Sequence, residues 1–482
     1  MRRLLPPAAA AAVACAVGYA GAADPETLYR PLFALLLAVN VGLVAACAPR
    51  AGIVLAFAVL PFVMLVRRLL ITDAGWVSRD PLVLVGAAIA VILVTRIFIV
   101  ERHRVPRDLP SLLVSGVLVL AVAGAFNPDG GGLLVGLAGV LFLGVPLLWY
   151  FIGRAVADRR LAHRLILLTI GLGVLISLYG LAQSEIGLPA WDSDWVALDG
   201  YYALFVGGVT RPFGTFPSAS EYLLYLGTAL VFAAALVRHG SRWFAAPLVP
   251  LAIALMIGSG RSALVLTGLA TVAVAVLATR GALRSAAVGI VGLAVLAGVI
   301  AVLVPAIATE TGIVRNPVLL THQSEGLTRP LDAEESSLRI HWDLFAAGVT
   351  EGVRHPQGYG SGVSNTAIDL KGTAHVPAAV RADVFDDRSS LQTDIDVSNV
   401  FISLGVVGGC LFVALVVVVL ARSVLLYRRR RDPVVLAAVG LLIASGGQWL
   451  TGGHYTLSPL TWLLIGWLAR EWASDAAARS TS

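Results

Sequence analysis

Three arginines stand in turn-rich stretches of an otherwise apolar chain. Arg211 opens the run Arg211-Pro212-Phe213-Gly214-Thr215-Phe216-Pro217-Ser218, Arg261 lies in Gly258-Ser259-Gly260-Arg261-Ser262, and Arg339 lies in Ser337-Leu338-Arg339-Ile340-His341-Trp342-Asp343. A guanidinium stays charged at physiological pH and its planar fork matches phosphate oxygens two at a time. Arg211 abuts a Pro/Gly turn before an apolar run, a place where a phosphate could sit. Arg261 sits between two apolar runs, where an arginine costs at least a few kcal/mol unless it finds a partner or reaches the interface. A functional and a snorkelling arginine both fit that position. Further on, Gly358, Gly360 and Gly362 let backbone N–H groups approach an anion, although a flexible turn is the simpler reading. Asp383, Asp386, Asp387, Asp394 and Asp396 supply carboxylates, most of them read as solvated surface.

The elements that must position these residues are membrane helices. Of 482 residues, 58% are hydrophobic and 13% charged, with a mean hydropathy of +0.86, outside the mix of a soluble globular protein. Apolar runs of about 17 to 25 residues recur, each able to cross about 30 Å of hydrocarbon as a helix. They do not alternate with period two, so a lipid-facing barrel is excluded and an all-α, polytopic transmembrane bundle of about fourteen spans is expected. The runs lie near 4–21, 31–48, 51–66, 81–100, 109–126, 132–152, 165–184, 220–237, 243–258, 262–279, 285–304, 397–421, 433–449 and 457–469. Hydropathy thus divides the chain into eleven spans within 1–304, including an external segment at 185–219, then a large external loop at 305–396, then three spans and a tail within 397–482. Residues 1–22 read as a retained helix, with a cleaved signal peptide as the other reading. From about 337 to 353 the apolar spacing suits an amphipathic helix near the bilayer.

Nearly all the positive charge is arginine, Lys371 being the one lysine. With the amino terminus inside, most arginine clusters fall on the cytoplasmic face, as in the positive-inside pattern. Arg67 and Arg68 are the chief misfit. A basic balance of this kind marks membrane loops and not a nucleic-acid surface. Cys15, Cys47 and Cys410 fall inside apolar runs and read as buried thiols, with no disulfide or metal site implied.

In order, these pieces resemble the superfamily of O-antigen ligases and O-antigen polymerases, over roughly residues 165 to 421. A helix ends near Gln183, and Arg211 to Ser218 is similar to that family's Arg-x-x-Gly-Thr-Phe stretch. Gly260-Arg261-Ser262 follows, then a loop with Arg339-Ile340-His341-Trp342 and Pro356 to Gly360, then Gly405-Val406-Val407-Gly408. Ligases of the family place a histidine about ten residues before the last motif, whereas that position here falls at Asp394-Ile395.

The resemblance implies a glycosyltransferase of the bacterial cytoplasmic membrane, with cytoplasmic termini, acting on a glycan carried by polyprenyl pyrophosphate. Its implied partners are that donor, an acceptor glycan or lipid, and the bilayer; no cofactor and no metal is implied. Arg211, Arg261 and Arg339 would hold the pyrophosphate, Asp394 or Asp396 would take the acceptor proton, and Gly358, Gly360 and Asn399 would line the site. A flippase or polysaccharide exporter is the alternative. It would show pseudo-symmetric halves, and no convincing repeat is present in the sequence.

Overall fold

The computed structural model describes residues 25–70, 80–199, 204–299, 306, 315–328, 337–365, 367, 395–451 and 456–480. The expected first span and Asp383, Asp386, Asp387 and Asp394 lie outside them.

The described residues fold almost wholly as helix. The helices are α1 (Pro25–Cys47), α2 (Pro49–Leu69), α3 (Pro81–Val100), α4 (Leu109–Gly124), α5 (Leu133–Val156), α6 (Arg159–Glu185) and α7 (Ala190–Asp199). Strands β1 (Phe205–Val206) and β2 (Val209–Thr210) pair antiparallel. There follow α8 (Ala219–Arg238), α9 (Ala245–Ile257), α10 (Arg261–Ala278), α11 (Ala282–Gly298), α12 (Pro317–Thr328), α13 (Ser337–Arg354), α14 (Asp396–Arg430), α15 (Pro433–Ala444) and α16 (Leu457–Ser480). Among the described residues, seven helices are long and apolar enough to cross a membrane: α2, α3, α5, α6, α8, α10 and α14. Several helix starts carry their own caps: Asp108, Asp158, Ser218 and Asp432 accept hydrogen bonds from Ser111, Leu161, Glu221 and Val434 N–H, meeting donors that a helix leaves open.

The chain forms two compact units, one from residues 1–103 and 156–324 and the other from 104–155 and 325–482. In the first, α8 packs against α6, α9 and α10, and 78% of its apolar window is buried, against 28% for α10. It is the central helix around which that unit is built. In the second unit, α14 packs against α4, α13, α15 and α16.

Cys47 and Cys410 are exposed on their helices, which corrects the expectation of buried thiols. A helix with apolar residues all round does not reveal from sequence which side faces inward.

Within the second unit, α14 is broken at Gly405, whose φ of 68° is a left-handed conformation. The break leaves backbone groups without their usual helical partners. The turn after α13 meets them: Tyr359 N–H donates to Ile402 O (2.9 Å), Gly360 N–H to Ser403 O (3.0 Å), and Val406 N–H donates to Pro356 O (3.2 Å). A Cβ at Gly405 would lie 2.0 Å from Pro356 O. Gly405→Ala is therefore expected to destabilise the fold by roughly 2 kcal/mol or more, read as a lowered thermal midpoint in detergent.

Candidate functional site

The first unit explains the arginines that broke the charge pattern. Arg67 pairs with Asp80 (3.3 Å) and Arg68 with Asp192 (2.9 Å), and Arg68 and Asp192 have no exposed side-chain surface. Arg68 also donates to the carbonyls of Gly214 (2.6 Å) and Phe216 (2.9 Å), with its guanidinium carbon 5.2 Å and 4.8 Å from the ring centres of Trp195 and Phe213. Asp192 accepts from Tyr179 Oη and Gln183 Nε2, both at 2.6 Å. Gln183 Oε1 in turn accepts from the N–H groups of Phe213 (3.2 Å) and Gly214 (2.8 Å). Both sides of the 213–216 backbone are gripped: carbonyls by Arg68, N–H groups by Gln183. A buried charge is tolerated when it is paired and its remaining donors are met, and this network does both.

That clamp fixes the loop that begins at Arg211. The half-buried Arg211 donates from Nε to Gly258 O (3.3 Å), and a Cβ at Gly260 would sit 3.6 Å from its Nη2. Arg261 follows one residue later, as the first residue of α10. Its Nη2 donates to His322 O (2.8 Å) and lies 3.2 Å from both ring nitrogens of His322. The Arg211 side chain thus reaches the turn from which Arg261 starts α10, fifty positions further along the chain. The start of α12, which carries His322, is tied to the end of α6, where Arg315 and Asn316 bond Glu185, Ile186 and Ser184. Carbonyl and imidazole contacts orient the Arg261 guanidinium, whose planar fork matches an anion with several oxygens.

No model of a known protein family matches the chain, and no curated protein matches it significantly.

The remaining candidates fall in the second unit. Arg339 lies in the first turn of α13, and its side chain is outside the described residues, as is Asp394. Gly358 and Gly360 are corrected from an anion cradle to a packing contact. Their N–H groups are spent on His355 O (2.8 Å) and Ser403 O (3.0 Å), and a Cβ at Gly358 would meet Ser403 O at 2.4 Å. Asp396 is likewise corrected from a free base to a structural link. One oxygen accepts from Leu450 N–H (2.6 Å), the other from Thr451 N–H (3.1 Å) and Thr451 Oγ1 (2.7 Å), while its own N–H donates to Gly447 O (2.6 Å). Asn399 is buried in the first turn of α14. Asp396→Asn should cost about 1–3 kcal/mol of stability, because an amide NH2 cannot accept from those donors. The folded fraction of that variant should keep its activity per molecule, which a thermal-shift series with matched activity assays will show.

Sequence reasoning missed a second polar cluster. Glu351 on α13 is buried and accepts from Arg354 (2.8 Å) and from Tyr359 Oη (3.1 Å), while His355 Nδ1 lies 2.6 Å from the same hydroxyl. Burial first, then the Glu351 charge, holds the Tyr359 phenol above its ordinary pKa. The i, i+3, i+4 spacing of Glu351, Arg354 and His355 was the available signal.

Proposed function

We infer that this protein crosses the bacterial cytoplasmic membrane about fourteen times, with both termini in the cytoplasm, by the span-length and arginine-distribution arguments. We infer further that it is a glycosyltransferase of the O-antigen ligase and polymerase kind. The observation that carries the reading is that Arg211, at the start of a loop held by the Arg68–Asp192–Gln183 network, reaches the turn from which Arg261 starts α10.

In the proposed reaction, the bond between the anomeric carbon of the glycan and its phosphate oxygen breaks while an acceptor hydroxyl oxygen bonds to that carbon. The hydroxyl gives its proton to a base, and polyprenyl pyrophosphate leaves with the electron pair. Charge gathers on the leaving phosphates as the bond lengthens. Guanidinium groups already fixed beside those oxygens stabilise the transition state more than the ground state. The test is polymer or transfer output in envelope extracts of cells carrying Arg211→Ala, Arg261→Ala and the corresponding lysine variants. The reading expects loss in both alanine variants; undiminished output in both removes it.

A further inference from the structure

The segments that hold the two arginines also carry polar groups that the fold does not satisfy. Ser259 Oγ and both amide atoms of Gln323 have no hydrogen-bond partner among the described residues. Ser259 is 4% exposed and Gln323 0%. Buried polar groups are paired in roughly 90% or more of cases, and an unmet one is a cost to the fold. Ser259 also holds a φ of 55°, sparsely populated for a residue with a side chain. Strain and unmet polarity at one residue mark a place kept for a purpose other than stability.

Their positions are specific. Ser259 lies between Gly258, which accepts from Arg211, and the Gly260-Arg261 step. Gln323 follows His322, which accepts from Arg261, and shares the inward face of α12 with Leu319 and Leu320, 0% and 1% exposed. The chemistry of these groups discriminates among ligands. A phosphate is served by the guanidiniums, and an apolar tail would leave the amide as unmet as before. A carboxamide presents a donor and an acceptor side by side, and a serine hydroxyl can do either. Two neighbouring hydroxyls on a pyranose ring match that pattern.

We propose that Gln323 and Ser259 bind the hydroxyls of the first sugar of a glycosyl diphosphate whose phosphates lie on Arg211 and Arg261. This rests on the donor reading given above and adds to it the residues that read the sugar. They are binding residues, so their loss falls on the sugar increment of affinity and not on the diphosphate.

The test measures binding of two probes to the full protein in nanodiscs: undecaprenyl diphosphate alone, and the same carrier bearing one hexose or one N-acetylhexosamine. Wild type is expected to bind a glycosylated carrier about tenfold more tightly than the bare one, the worth of one or two well-made hydrogen bonds. Gln323→Leu and Ser259→Ala should bring that ratio toward unity with affinity for the bare carrier unchanged. Ser259→Ala removes a single oxygen and keeps the test open should Gln323→Leu fold poorly. An unchanged ratio in the variants overturns the proposal and assigns these groups to ordered water. A wild type that binds bare and glycosylated carriers equally overturns it while leaving the diphosphate reading intact. A wild type that binds neither carrier removes both.

Discussion

Alanine at Arg211 or at Arg261 is expected to lower glycan transfer by about a hundredfold or more, the usual scale for removing a preorganised group that meets developing charge. Because Arg211 bonds the turn from which Arg261 starts α10, the double variant should fall little below either single one, as groups acting as a unit are not additive. Lysine separates charge from geometry: it keeps a positive centre but loses the fork. Arg211→Lys and Arg261→Lys should therefore retain partial activity, above alanine and well below arginine. Transfer assays on equal amounts of folded protein check this, since the half-buried arginines are held by a few hydrogen bonds and their loss should leave the fold standing.

The second large effect lies beneath that site. Asp192→Ala leaves Arg68 as an uncompensated charge with no solvent exposure, and breaking a buried pair this way costs about 3–5 kcal/mol. Such a loss is comparable to the whole stability of many domains. The protein should fail to accumulate, as seen by fluorescence-detected size exclusion of a tagged chain. Arg68→Lys is the informative companion. It keeps the charge beside Asp192 but cannot bond Asp192, Gly214 O and Phe216 O together as the guanidinium does. Accumulation near wild type with a sharp loss of activity is expected there, because the 213–216 backbone would be loosened on one side. If Arg68→Lys is fully active, the clamp serves stability alone.

Helical class and most helix positions were legible in the chain, because an apolar run of span length admits few other structures in lipid. The Arg211 and Arg261 motifs were legible as well. What joins them was not, since the turn at Gly258 and the loop at Arg211 meet only after α8 folds between them. Arg67 and Arg68 carried a signal that went unused: two charges where the pattern calls for none require partners. Asp80 and Asp192 were there to supply them. Asp396 misled for the opposite reason. Counting residues back from a glycine motif locates a carboxylate without showing whether its oxygens are already taken.

The central claim is that Arg211 and Arg261 together serve bond breaking at a lipid-linked diphosphate. Purified protein in proteoliposomes, supplied with a polyprenyl-pyrophosphate-linked glycan and an acceptor, can be followed by mass spectrometry for the new glycosidic bond and for released polyprenyl pyrophosphate. Both products are expected in equal amounts from wild type, and each lowered by about a hundredfold or more in Arg211→Ala and in Arg261→Ala. Intact carrier moved across the bilayer with no bond broken, or transfer undiminished in both variants, would contradict it.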